Sequence, residues 1–272
     1  MKYYKAYNFE LSDVSTMRDV YIALLSEAGF EGFAETEKGF LAYTNHEIAV
    51  EEVLSLFEGQ YAFSTEEVEE ENWNKSWEKQ IKPLVIDNQI YIKTSFHPEK
   101  DIPTVITIDP KMSFGTGHHE TTYLMIKQMM QMNFAGKSVL DMGAGTGVLS
   151  ILAKKMGADS VYAVDNDKWA YENMLENFDK NNAKDVQSFL GDASILKDFP
   201  RFDIVLANIN RNILLADIQY YTQKIKPNGN LVLSGFYRED IPLIETETKK
   251  YGMVFEREME KNNWMSLQFK KM

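Results

Sequence analysis

The chain has 272 residues, 44% hydrophobic and 26% charged, a globular composition that excludes a disordered chain. Its formal charge of −12, from 29 Lys plus Arg against 41 Asp plus Glu, disfavours phosphate backbones as partners and favours a basic one. Cysteine is absent, which excludes disulfides, thiolate metal sites and a cysteine nucleophile.

The first stretch, "YYKAYNFEL", alternates as a strand, and Asp13 can cap a helix over "VSTMRDVYIALLSEAG" that Gly29 ends. "FEGFAETEKGFLAYTN" predicts two strands around Lys38 and Gly39, "IAVEEVLSLFEG" a helix stopped by Gly59, and "QYAFS" a closing strand. The order β-α-β-β-α-β predicts a small ferredoxin-like α+β domain over residues 1–64. The N-terminus lacks the apolar core and cleavage site of a signal peptide, and no run is long enough to span a membrane. A cytoplasmic protein with no membrane partner is expected.

Residues 65–100 read as a linker, opened by five glutamates between Glu66 and Glu71 that suit a solvated face. Trp73 and Trp77 share one helical face there, to pack the connector against a domain or to wall a ligand pocket. After Pro83, the strand-like runs "LVIDNQIYIKT" and "TVITID" lead into "DPKMSFGTGHHETT", Asp109–Thr122. Its histidines, glycines and hydroxyls leave three readings open: a metal site, a phosphate loop, or part of another ligand's pocket.

From Lys137 strands and helices alternate regularly, and residues 101–272 are expected to form an α/β domain around a doubly wound parallel sheet. The end, "MVFEREMEKNNWMSLQFKK", predicts two strands around "KNN". "VLDMGAGTGVLSILA" is a buried strand running into a glycine turn that opens a helix, where the backbone can approach a ligand. Gly143, Gly145 and Gly147 are followed by Val148 where the dinucleotide fingerprint needs a third glycine, so that pattern fails, and the Walker pattern fails as well. Asp141 at the strand's end would repel a pyrophosphate and suits a ligand carrying an ammonium. Asp165 ends the next strand, where an acidic group takes ribose hydroxyls. Asp192 ends the third, placed equally well to meet an adenine edge or to cap the next turn. Asn208 ends the fourth, with a side-chain carbonyl to offer an incoming amine. Ribose and an amino acid without phosphate describe S-adenosylmethionine.

The combination "FGTGHHETT", "VLDMGAGTGVLSI", "VYAVDND" and "VLANINRNIL" resembles the ribosomal protein L-eleven (L11) methyltransferases, the PrmA family, and "NWNKSWEKQIKPLVI" resembles that family's Trp-rich connector. The resemblance implies a Rossmann-like methyltransferase domain behind an N-terminal substrate-recognition domain. It also implies S-adenosylmethionine contacts at Thr122, Gly143, Asp165 and Asn208. The implied activity is methylation of lysine and N-terminal amines on L11, a basic ribosomal protein, with no direct nucleic-acid contact expected. Two positions depart from the family's usual pattern: His118 precedes His119, and "NINRNIL" replaces an Asn-Ile-Leu-Ala run.

A metal at His118 and His119 is not expected, because adjacent residues in an extended loop point apart and no other His stands at ligand spacing. His119 can instead cap or position the helix "ETTYLMIKQMM", whose methionines read as core filler. Asn208 is assigned to orient the acceptor amine; no general base is assigned, since the proton can leave to water before attack. Two alternatives stand: a class I methyltransferase for another protein, an RNA or a small molecule, and a non-catalytic S-adenosylmethionine-binding module.

Overall fold

A computed structural model describes residues 3–11, 21, 25, 30, 32–36, 39–44, 61–69, 82–110, 115, 117 and 119–272. The chain divides into two compact units, Met1–Ser76 and Trp77–Met272.

The first unit holds a four-stranded sheet of β1 (Tyr3–Leu11), β2 (Gly32–Thr36), β3 (Gly39–Thr44) and β4 (Tyr61–Glu69) in the order β2-β3-β1-β4. Every neighbouring pair is antiparallel, as the ferredoxin-like arrangement requires. Phe9 lies opposite Phe40 across β1 and β3, and the two rings stack with centroids 5.0 Å apart. Tyr21 and Leu25 are helical and buried; the rest of both predicted helices, and Trp73 and Trp77, lie outside the described residues. β4 runs further than the sequence suggested, because β1 offers a partner at each step from Tyr3↔Glu69 to Leu11↔Tyr61. Glu66, Glu67 and Glu69, which as a charge run suited a solvated connector, are therefore strand residues: ladder pairing overrides their low β-propensity.

The second unit begins with a three-stranded sheet of β5 (Leu84–Ile86), β6 (Ile90–Lys93) and β7 (Thr104–Thr107). Asp87 and Asn88, at φ 49° and 55°, take the left-handed conformation in the three-residue turn Asp87–Gln89 that leads β5 into β6. These strands fall partly within the stretch read as linker, yet Ile86, Ile90 and Ile92 belong to the core of this unit.

The main sheet has seven strands: β8 (Ser138–Met142), β9 (Ser160–Asp165), β10 (Gln187–Leu190), β11 (Phe202–Asn208), β12 (Ile225–Tyr237), β13 (Met253–Lys261) and β14 (Trp264–Lys271). Their order is β10-β9-β8-β11-β12-β14-β13, parallel from β10 to β12, with β14 running antiparallel to both its neighbours. The expected parallel sheet thus carries an antiparallel hairpin at one side. Its turn falls at Asn262 and Asn263, at φ 50° and 66°.

Strand periodicity sorts the core into two layers. Val139, Ile204, Leu206 and Val232 face a cluster with α1 (Glu120–Met129), α2 (Val148–Lys155) and α3 (Lys168–Lys180). Leu140, Val205, Ala207, Leu231 and Leu233 face the other cluster, with α4 (Arg211–Gln223) and α5 (Ile241–Lys249). Met125 and Met129 of α1 are fully buried, in line with their reading as core filler. No helix among the described residues is long and apolar enough to cross a membrane.

The chain leaves β8 toward β9 on one side and returns to β11 on the other. This reversal opens a crevice beyond the carboxyl ends of β8 and β11, where ligands bind in open α/β sheets. Gly147, at φ 79°, starts α2 there, and a Cβ on it would stand 2.5 Å from Phe178 Cε1 and 3.0 Å from Met174 Cγ. Gly147→Ala is expected to destabilise the protein by about 1–3 kcal/mol through overpacking and left-handed strain. A lowered urea midpoint at unchanged slope would report this; an unchanged midpoint would mean that α3 yields without loss.

Candidate active site

Gly143, Gly145 and Gly147 all take positive φ, 65°, 55° and 79°, so the turn after β8 folds back tightly before α2 begins. The Gly145 amide donates to the Asp165 carboxylate at 2.8 Å. The other Asp165 oxygen accepts from the Asp167 amide at 2.9 Å, while Asp167 itself caps α3 by accepting from the Ala170 amide at 2.9 Å. Capping of α3 therefore falls to Asp167. Asp165 keeps free lone pairs on both oxygens beside the glycine turn.

Asp141 is buried at the end of β8, and the Ser150 hydroxyl donates to it at 2.6 Å. Burial pushes its carboxyl up to about 7 against the pull of Ser150, and the Asp165 charge adds to the rise. Asn208, ending β11, donates through Nδ2 to the Thr122 hydroxyl on α1 at 3.2 Å. Its Oδ1 is buried and has no hydrogen-bond partner among the described residues. An orphaned acceptor of this kind is expensive to keep, and it fits a ligand that brings an N–H. His119 is the N-cap of α1: its Nδ1 accepts from the Thr121 amide at 3.3 Å, which fits its sequence reading. His118, Phe114 and Thr116 lie outside the described residues.

Asp192 is exposed and accepts from the Ser194 amide at 2.8 Å, capping the 3-10 turn Ala193–Asp198. The structure thus shows the capping half of its two readings. Thr122 and Asn208 are brought together, as are Gly145, Asp165 and Asp141; no hydrogen bond ties Asp192 to either group among the described residues.

A polar ladder on α3 draws the opening of the "DPKMSFGTG" stretch onto this turn. Asn177 Oδ1 accepts from the Asp109 amide at 3.0 Å, and Asn173 Nδ2 donates to the Asp109 carbonyl at 2.8 Å. Asn177 Nδ2 also donates to the Thr146 carbonyl at 3.1 Å, and the Thr146 hydroxyl donates to the Gly115 carbonyl at 2.7 Å. Burial alone would raise the Asp109 carboxyl, but hydrogen bonds from Lys180 and Ser95 hold it below the usual carboxylate range. On the other side of Asn208, Ser234 of β12 pairs with it, and Tyr237 and Trp264 follow with ring centroids 4.0 Å apart. Trp264 in turn lies 5.0 Å from the His119 ring.

The family model for ribosomal protein L11 methyltransferase (PrmA) matches residues 13–272. The chain belongs to the PrmA family. A ribosomal protein L11 methyltransferase from Bacteroides thetaiotaomicron is 42% identical over 281 aligned positions, covering 99% of both chains. One from Porphyromonas gingivalis is also 42% identical, covering 98% of this chain and 97% of its own. Among solved structures, the ribosomal protein L11 methylase of Lactobacillus delbrueckii subsp. bulgaricus superposes with a TM-score of 0.64 at 26% identity, over 71% of this chain and all of that one.

Within this PrmA chain, sequence reasoning missed the α3 asparagines and the Tyr237–Trp264 pair. Asn173, Asn177 and Asn181 recur every fourth residue, a spacing that puts them on one helical face and could have flagged a buried polar seam. Tyr237 and Trp264 carry no local signal, since they meet only through the β12–β14 pairing.

Asp141 links the site to pH. Its carboxyl is pushed up to about 7 when folded, against the ordinary value of 3.8 in the unfolded chain. Between those values only the folded state holds the proton, so this group makes stability fall as pH rises from about 4 to about 7 and adds no slope above. Asp141→Asn is expected to flatten that segment in a plot of urea midpoint against pH; a slope retained in full would belong to another group.

Proposed function

We propose that the chain is an S-adenosylmethionine-dependent N-methyltransferase that methylates lysine side-chain and N-terminal amines of ribosomal protein L11. The observation that carries this reading is the Oδ1 of Asn208, buried and without a partner among the described residues, beside a glycine turn suited to close ligand approach. The names of the PrmA relatives supply the substrate.

Thr122, Asp141, Gly143, Gly145, Asp165 and Asn208 form the cofactor pocket in this reading, with Asp192 at its outer edge. Asp165 has acceptor capacity left for ribose hydroxyls after serving the Gly145 and Asp167 amides. Asp141, ionised more readily once a cationic group lies near it, answers the ammonium. Bound there, S-adenosylmethionine supplies an electrophilic methyl carbon on its sulfonium sulfur.

The acceptor amine must be neutral to attack, whereas a free lysine has a pKa of about 10.4. Asn208 Oδ1 accepts one amine N–H and so turns the nitrogen lone pair in a defined direction; desolvation in the crevice favours the neutral amine. Positioning supplies the catalysis, and the proton leaves to water without a dedicated base. The aromatic faces of Tyr237 and Trp264 line the acceptor side. The four-stranded N-terminal domain recognises the substrate, and the protein works in the cytoplasm. A chain of formal charge −12 suits a basic partner.

The test incubates the purified protein with labelled S-adenosylmethionine and free L11, followed by intact-protein mass spectrometry. Added masses of one methyl each are expected, and they should vanish in Asp165→Ala. Asn208→Ala is expected to lower kcat by about ten- to a hundredfold, the loss of one hydrogen bond in a dry site. L11 left unmodified by wild-type protein that binds S-adenosylmethionine would refute the substrate assignment.

A further inference from the structure

In the run Asn208-Ile209-Asn210-Arg211, the cofactor pocket uses neither Asn210 nor Arg211. Asn210 caps α4 by accepting from the Ile213 amide at 3.2 Å. Arg211, the next residue, extends one guanidinium arm to the Asp240 carboxylate at 2.7 Å and braces the others on Asn212 Oδ1 at 3.1 and 3.0 Å. Asp240 is a buried acid that the reaction does not otherwise employ. Its second oxygen accepts from the Tyr237 amide at 3.0 Å.

One buried carboxylate is therefore bonded to two walls at once: the first residue of α4, three positions after Asn208, and the backbone of the aromatic residue packed on Trp264. The same walls touch a few residues away. The Ile209 amide donates to the Ser234 carbonyl at 3.1 Å, and Gly235, at φ 105°, leaves room for the Ile209 carbonyl, which a Cβ would approach to 2.0 Å. A contact at Gly235 and a charged latch at Asp240 together leave the loop little freedom to pivot. Charge-assisted bonds of this kind are the strong ones, and a guanidinium fork fixes direction as well as distance.

We infer that Asp240 is a positioning residue for the amine acceptor: through Arg211 and Tyr237 it sets Asn208 against the Tyr237–Trp264 wall. The inference rests on the reading of Asn208 as the group that orients the amine. A role confined to starting α5 would instead lower thermal stability without a selective effect on turnover.

The experiment compares wild-type protein with Asp240→Asn, Arg211→Lys, Arg211→Met and the double variant Asp240→Asn/Arg211→Met. Initial rates of L11 methylation are read alongside calorimetric titration with S-adenosylhomocysteine. Asp240→Asn and Arg211→Met should each lower kcat about tenfold, as small misplacements do, with S-adenosylhomocysteine affinity held within about twofold. Arg211→Lys should recover part of the loss, and the double variant should be no slower than the worse single one. Arg211 is 42% exposed, so its variants keep the test alive if Asp240→Asn does not fold. Unchanged kcat in the Arg211→Met and Asp240→Asn proteins would overturn the inference alone, as would affinity for S-adenosylhomocysteine falling in step with kcat. Wild-type protein inactive on L11 would overturn the functional reading, and this inference with it.

Discussion

The Gly145 amide reaches the Asp165 carboxylate across the ends of two adjacent parallel strands, and the remainder of the site is organised around that bond. It needs the chain to reverse within a few residues of β8, which only the left-handed glycine turn allows without strain. It also places two buried acids, Asp141 and Asp165, within electrostatic reach of each other. Burial is the main reason that Asp141 holds its proton up to about 7, and repulsion from Asp165 adds to it. A cation entering the crevice would favour the ionised form against that burial. Ligand charge and protein charge are thus coupled at the point where the fold leaves space.

The second constraint is the ladder of amides on α3. Asn173 and Asn177 satisfy backbone groups of Asp109 and Thr146, which lie far apart in sequence and have no regular partners of their own there. Buried backbone polar groups demand such partners. Burying asparagines in this helix is therefore how two irregular segments are held side by side without strand pairing between them. Full satisfaction makes the seam rigid; loss of one amide would strand several groups together.

Most of the architecture was legible because it follows from two periods. The alternation of Val139 with Leu140, and of Ile204 and Leu206 with Val205 and Ala207, announces a sheet covered on both faces. Glycine spacing, with Val148 in the wrong place for a dinucleotide, announces the kind of turn. The length of β4 was not legible, because glutamates read alone suit a solvated face and become strand only against a long neighbour. β5 and β6 were assigned to a linker for a similar reason: short apolar runs acquire meaning from the core they meet. At the site, Asn208 and Asp165 stand at strand ends that the pattern locates. The Arg211–Asp240–Tyr237 arrangement joins residues from separate elements and leaves no periodic trace.

Among the described residues the seven-stranded sheet ends in β10 on one side and β13 on the other. An open edge exposes unpaired amides and carbonyls, a template on which a second copy could continue the ladder. β10 is four residues long, too short to hold such a partner well. β13 is nine residues long, but most of its second half, Glu256, Arg257, Glu258, Glu260 and Lys261, is charged, and Glu260 is held by Arg238. A copy docking there would have to bury these charges against its own. The side of the sheet that carries Trp264 is thereby guarded against fibrous association through the strands nearest the candidate site.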